Sequence, residues 1–310
     1  MLRDTFNRLL RKITFQKQKI QDFWSVIDPI CTFVDVGASY FYNQHWNIAT
    51  QLPMSTMIQV DPNLQNLEYA QRQKIHAKVI SVPYGLSRAG GLQKLYVTNI
   101  DSGSSVFEPK ISPDLQPRLS KDIYSYFYPI KEVEIQTKKL IDIIPASLMN
   151  QPIALKLDTQ GSEHEIIRGA ETLLKTKQFV SIEIEASLLR HPFADGGTKF
   201  CELQPYLENF GYELVAMRLN HSHGLSKLSS FLKQGILSEC DALFILNHRE
   251  ILKRPLEFKV ASFFLLCLYG QFGDALRLAN ADQQLTDRIQ NGLGKKKSIE
   301  QILRMHQTFF

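Results

Sequence analysis

From Thr32 onward the chain alternates short apolar runs with amphipathic stretches. The runs predict strands at Thr32–Val36, Met57–Val60, Lys78–Val82, Ile153–Leu157, Phe179–Glu185, Glu213–Arg218 and Ala242–Leu246, with further extended segments at Lys94–Thr98 and Glu132–Thr137. The stretches between them predict helices at Gln44–Gln51, Leu64–Lys74, Glu163–Lys175 and Phe200–Phe210. Such alternation is the pattern of βαβ units on a parallel sheet, so the expected class is α/β. The helix after Asp158 is the best specified. Ser162 and Glu165 have capping-box spacing, and Ile166, Ile167, Ala170, Leu173 and Leu174 recur on one face.

The two ends of the chain read differently. Leu2, Phe6, Leu9, Leu10 and Ile13 fall at helical spacing within Met1 to Lys19, with basic residues between them. After His248 the alternation stops, and Glu257 to Asn280 predicts one or two helices. A loop is expected through Asn291–Gly292, Gly294 and Lys295–Lys297, followed by a short helix, Ser298 to Met305. The expected organisation is a basic amphipathic extension over 1–29, an α/β domain over 30–248 and a helical extension over 249–310.

Charge sharpens this division. Lys and Arg number 36 against 31 Asp and Glu, but six of the basic residues and one acidic residue lie in the first nineteen positions. The rest of the chain is balanced, so its body lacks the basic excess that binds nucleic acid by counterion release. The basic helix has three readings: a helix packed on the body, a peripheral membrane or protein contact, and a transit peptide. The four cysteines, Cys31, Cys201, Cys240 and Cys267, are too dispersed for a CxxC metal site and too few for a disulfide scaffold. The longest apolar stretch, Val260 to Tyr269, is shorter than the roughly 18 to 20 residues that cross a bilayer. A soluble, cytoplasmic protein with reduced thiols is expected.

Three strings carry chemistry. In "FVDVGASYFYNQ" a strand ends at Asp35 and turns through Gly37, where an open parallel sheet places its ligand crevice. The turn lacks the GxGxxG glycines that a dinucleotide pyrophosphate needs, which disfavours a nicotinamide-dependent oxidoreductase. An acidic strand end suits a cationic cofactor without phosphate, such as S-adenosylmethionine. In "MIQVDPN", Asp61 closes the next strand, where a carboxylate can accept both ribose hydroxyls. The third string is "IALKLDTQGSEHEIIRGAETLL", followed by "VSIEIEASLLR".

With these strings the chain resembles the FkbM family of S-adenosylmethionine-dependent methyltransferases. The resemblance rests on Val34–Ala38, Asp61–Pro62, Gly85–Ser87, Gly103–Ser105 and the most specific part, Leu155–Ala170 with Lys156, Asp158, Gly161, Glu163 and Gly169. Glu208–Val215 and Cys240–Leu246 are similar to its closing strands. Ser39 and Phe41 depart from it, since the family usually has Asn and Gly there. The resemblance implies a Rossmann-like seven-stranded sheet with helices on both faces and a cofactor pocket at the ends of the first strands. It implies S-adenosylmethionine contacts by Asp35, Gly37, Ala38, Ser39, Asp61, Pro62, Gly85, Leu86, Ser105 and Asp158. It also implies methyl transfer to a hydroxyl of a glycan or another natural-product-like metabolite. A non-catalytic module of the same fold, recruiting a partner through its terminal helices, is the alternative, and the bulk of Phe41 is the feature that suggests it.

Transfer to an alcohol requires a group that takes the proton. Asp158, Glu163 and Glu183 are the candidates. Each has a structural reading beside the catalytic one: Asp158 as a helix cap, Glu163 as a first-turn acid favoured by the helix dipole, and Glu183 as a partner of Lys156. Glu183 and Glu185 alternate with isoleucines and share a strand face, and burying two carboxylates is costly, so one of them is expected to reach the crevice or a cation. His164 is read as an exposed first-turn residue. His221 and His223 form an HxH with no third ligand in view, so no metal site is expected.

Overall fold

A computed structural model describes residues 24–38, 44–46, 48–71, 75–108, 128–188, 197–221 and 237–293, together with Asp22 and Ile299. The helix expected over Met1–Lys19, the one expected over Ser298–Met305, and Ser39, Phe41 and His223 lie outside the described residues.

Among the described residues, ten strands form two sheets: β1 Thr32–Val36, β2 Thr56–Val60, β3 Lys78–Val82, β4 Gly85–Leu86, β5 Gly91–Thr98, β6 Pro129–Lys138, β7 Ile153–Leu157, β8 Phe179–Ser187, β9 Tyr212–His221 and β10 Leu237–Leu246. Seven of them make the main sheet, in the order β3-β2-β1-β7-β8-β10-β9. Its first five strands are parallel, and β10 runs antiparallel to both β8 and β9. The order reverses direction between β1 and β7, so the crevice expected at such a switch point opens between these two strands. The second sheet, β4-β6-β5, is built from the segment that follows β3. It stands over the carboxyl ends of the main sheet, with Leu95 of β5 and Ile135 of β6 in the wall of the cavity described below.

All five residues of β1 and of β2 are buried, so these strands are covered on both faces, as their apolar runs require. One row of the sheet is nevertheless polar. Ser81, Gln59, Asp35, Lys156 and Glu183 stand side by side in register across β3, β2, β1, β7 and β8.

The helices are α1 Leu64–Gln71, α2 Glu163–Gly169, α3 Glu171–Lys175, α4 Phe200–Glu208, α5 His248–Leu252, α6 Leu256–Leu268, α7 Phe272–Ala281 and α8 Gln283–Leu293. Four expectations need correction. The single helix over Glu163–Lys175 is broken at Ala170, whose φ of −103° and ψ of 19° leave the α region. Gly169 lies so close to the Arg88 backbone that a Cβ there would meet it at 2.9 Å. The helix over Gln44–Gln51 is two short 3₁₀ turns, since Ile48 and Thr50 are poor helix formers and Trp46 is anchored by its ring NH, which donates to Tyr269 Oη at 2.9 Å. The capping box does not form: Ser162 Oγ lies 2.7 Å from Thr159 Oγ1, and Glu165 faces Arg88 and Arg168. Where a loop was expected from Asn291, the structure instead continues a helix over Gln283–Leu293.

The C-terminal helices belong to the same core as the sheet. Eleven residues of α6 are buried, among them Phe258, Phe263, Phe264 and Leu266, so it is apolar on every side, as a helix inside a core is. It packs on β8, and Trp24 lies edge-on against Phe264 at 4.5 Å. Lys259, almost wholly enclosed, is matched by Asp282 at 2.5 Å.

Candidate active site

At the carboxyl ends of β1, β2 and β7 lies a cavity of about 330 Å³, within the range of small-molecule sites. Two carboxylate clusters face each other across it.

The first cluster grows from β7. Gly37 turns the chain out of β1 with φ at +78°, and a Cβ there would sit 1.8 Å from the Asp158 carbonyl oxygen. Only glycine allows that contact. The Asp158 backbone NH donates to Val36 O at 3.1 Å, so the Asp158 side chain is brought to the mouth of the turn. Two residues earlier on the same strand face is Lys156, whose ammonium donates to Asp158 Oδ2 at 3.2 Å and lies 3.6 Å from Asp35 Oδ1. Burial would pull Lys156 down, but Asp158 and Asp35 outweigh it and hold the ammonium above its usual range. Burial likewise opposes ionisation of Asp158, and Lys156 prevails, so this carboxyl is held below the ordinary carboxylate range. Asp35, deeper and wholly enclosed, shifts up by burial despite Lys156.

Beyond Asp158 the chain makes a tight turn with Gln160 at φ +57° and Gly161 at +117°. Three side chains hold it. Glu163 accepts from the Thr159 NH at 2.7 Å and from the Gly161 NH at 3.1 Å. Ser105 Oγ donates to Gln160 O at 2.8 Å. Thr198 Oγ1 donates to Gly161 O at 2.9 Å and accepts from the His164 NH at 2.8 Å. So fixed, the Gln160 amide donates both to Asp158 Oδ1 at 3.1 Å and to Glu185 Oε2 at 2.8 Å.

The second cluster grows from β2. Asp61 accepts from the Asn63 backbone NH at 2.7 Å and from Asn66 Nδ2 at 3.2 Å. Asn66 Nδ2 also donates to Asp101 Oδ2 at 2.8 Å, and Asn63 Nδ2 donates to the same oxygen at 3.1 Å. Burial pushes the Asp61 carboxyl up to about 6, because amide donors offset desolvation less than a lysine does. Between the clusters the wall is apolar: Tyr84, Leu86, Leu95, Val106 and Ile135.

Of the residues named from sequence, Gly37, Asp61, Pro62, Gly85, Leu86 and Asp158 line this cavity. Asp35 and Ala38 are buried behind it. Ser105 serves the Gln160 turn, and Ser104 takes the wall position beside it. Glu163 lies beneath the turn, 1% exposed, with its oxygens engaged by backbone NH groups. Glu183 stands in register with Lys156, one row deeper than Glu185. His164 is half-buried, edge-on to Tyr206, and not exposed as expected. Sequence reasoning missed Asn63, Asn66, Asp101 and Gln160 as wall residues. Asn63 and Asn66 carried a signal in their places two and five residues after Asp61, whereas Asp101 reaches the site only through the fold. No group of three or more His, Cys, Asp or Glu placed to hold a metal ion occurs among the described residues. Among them, too, no helix is long and apolar enough to cross a membrane.

Comparison with known proteins bears on this arrangement. No curated protein matches the chain. Among solved structures, a "putative methyltransferase" from Thermobifida fusca YX is similar at 11% identity and a TM-score of 0.34, over 75% of this chain and 81% of that one. The model of the methyltransferase FkbM domain matches residues 35–214, more than half of the chain and nearly the whole of the site just described. The chain therefore belongs to the FkbM methyltransferase family.

Proposed function

We propose that this protein transfers a methyl group from S-adenosylmethionine to a hydroxyl oxygen of a glycan or another natural-product-like metabolite. The observation that carries the reading is a cavity at the switch point of the sheet with carboxyl groups at both polar ends. Asp61 and Asp101 stand at one end, Asp158 and Glu185 at the other, and Lys156 is committed to Asp35 and Asp158. Such a site favours a ligand that brings positive charge and disfavours phosphate.

The residues present fit this donor. Asp61 would hold the ribose hydroxyls, and the apolar wall of Tyr84, Leu86 and Leu95 would cover a flat base. Gly37 keeps the turn free of a side chain where the methionine part would lie. When bound, the donor supplies a methyl group on a positively charged sulfur. The chain's own contributions are alignment and charge: the Gln160 turn fixes the carboxylates against which an acceptor hydroxyl is placed, and the apolar wall excludes water.

Calorimetric titration with S-adenosylmethionine tests the first half of this reading, with saturable binding at one site expected. Incubation with methyl-labelled donor and a panel of sugars and hydroxylated metabolites tests the second, with label expected in an ether. Absence of donor binding removes the reading altogether. Label recovered on nitrogen or sulfur acceptors keeps the methyltransferase and discards the hydroxyl.

A further inference from the structure

The site holds several carboxylates, and their surroundings decide which one can receive a proton. Asp158 is occupied on both oxygens, by Lys156 on one and Gln160 on the other. Glu163 faces backbone NH groups beneath the turn. Asp35 is buried behind Lys156, and Glu183 is one row deeper in the sheet. Asp61 and Asp101 stand at the opposite end of the cavity, tied to Asn63 and Asn66. Glu185 lines the cavity within hydrogen-bond reach of Asp158, with one oxygen taken by the uncharged Gln160 amide and, among the described residues, no ion pair with any cation.

We propose that Glu185 is the carboxylate that takes the acceptor's hydroxyl proton, aimed by the Gln160 amide and readied by the positive charge of the bound donor. This rests on the methyltransferase reading above. In the transfer, the acceptor oxygen bonds to the methyl carbon and the carbon–sulfur electron pair stays with sulfur. The O–H proton passes to Glu185, which ends as a neutral carboxylic acid. Asp158 is the weaker choice because a lysine already stabilises its charged form.

The groups around Glu185 explain why the donor's charge matters. Asp158 faces it from the end of β7, Glu163 from the start of α2, and Glu239 and Asp241 from β10. Among the described residues, Lys156 is paired with Asp158 and Asp35, and Arg218 of β9 with Asp241 at 2.5 Å. Desolvation and these like charges push Glu185 well above the ordinary glutamate range. A sulfonium bound in the cavity would supply a cation beside these carboxylates and lower the proton affinity of Glu185. The neutral thioether left after transfer no longer opposes reprotonation.

Proton release is directly measurable. S-adenosylmethionine and its thioether product share the same α-ammonium and differ by the sulfonium charge, so comparing them isolates its effect. Titrations at pH 7 in buffers of different ionisation enthalpy should show more proton release per bound S-adenosylmethionine than per bound thioether. Glu185→Gln should still bind S-adenosylmethionine within about tenfold of the parent protein but release no proton. Glu239→Gln, which removes one of the like charges beside Glu185, should lower the release without abolishing it. With an acceptor from the panel above, Glu185→Gln should also lower turnover by about a hundredfold to ten-thousandfold. Equal release by the two ligands, no release in the parent protein, or release that survives Glu185→Gln overturns the assignment. Failure of the parent protein to bind S-adenosylmethionine sinks the methyltransferase reading instead.

Discussion

Asp158 and Asp61 close two strands of one sheet and line one cavity, yet their carboxyls move in opposite directions. Asp158 is held low by the Lys156 ammonium, and Asp61 is driven up to about 6 with only amide donors around it. Asp158 is half-buried and Asp61 buried, so Asp61 loses more of its water. The partner widens the difference: a full charge at 3.2 Å compensates desolvation, and two asparagines compensate only part of it. Asp158 is therefore compensated from within the protein. Asp61 is not.

Removing the lysine is the most direct way to break this contrast. Lys156→Met should leave Asp35 and Asp158 as uncompensated carboxylates and destabilise the protein by about 3 to 5 kcal/mol in urea unfolding. A loss below about 1 kcal/mol would mean that the ion cluster is well hydrated and that the two ends are alike. Asp61→Ala comes next. It removes charge-assisted hydrogen bonds worth about 1.5 to 3 kcal/mol, so affinity for S-adenosylmethionine should fall roughly tenfold to a hundredfold by calorimetry. Unchanged affinity would take Asp61 out of the donor site.

The pH dependence of the empty protein sharpens the contrast further. A carboxyl raised in the folded state binds its proton more tightly there than in the unfolded chain, so its contribution to stability falls as pH rises. For Asp61 the window runs from its ordinary value of 3.8 to about 6. Replacement by Asn removes this penalty, so Asp61→Asn should gain on the parent protein by about 1 to 3 kcal/mol between pH 4 and pH 7. Asp158 acts with the opposite sign. Its stabilisation is complete above the ordinary carboxylate range and is lost as pH falls through its lowered value, and a gain of Asp158→Asn over the same window would contradict the lysine pairing. The smallest effect expected is from Ser105→Ala, which deletes the bond to Gln160 O. About 1 kcal/mol of stability should go with it, with S-adenosylmethionine affinity nearly intact. A large loss of affinity would instead put Ser105 in contact with the ligand.

Much of the fold was legible because the apolar runs are nearly continuous. Seven main-sheet strands and the turn at Gly37 follow from period and punctuation alone, since a strand buried on both faces has no other way to look. β4 was missed because two residues, Gly85 and Leu86, make too short a pattern to register. The capping box failed for a different reason. The spacing was right, but Glu163 reached the turn's backbone NH groups first and left Ser162 to Thr159. Local spacing says which bonds are possible, and packing chooses among them.

The residue types at the strand ends, the glycine that lets β1 turn against β7, and the family pattern through Leu155–Ala170 are properties of the sequence by itself. They determined the fold class and pointed to the crevice, because strand ends and turns are local features. Only the tertiary structure decided which carboxylate is neutralised, which is buried and which faces the cavity. Lys156 could have paired with Glu183 or with Asp35 and Asp158, and nothing in their spacing brings Asp101 to Asn66, 35 residues away, or Gln160 to Glu185, 25 residues away. Charge and proton affinity depend on distances of about 3 to 4 Å in a desolvated space, and such distances exist only once the strands stand side by side.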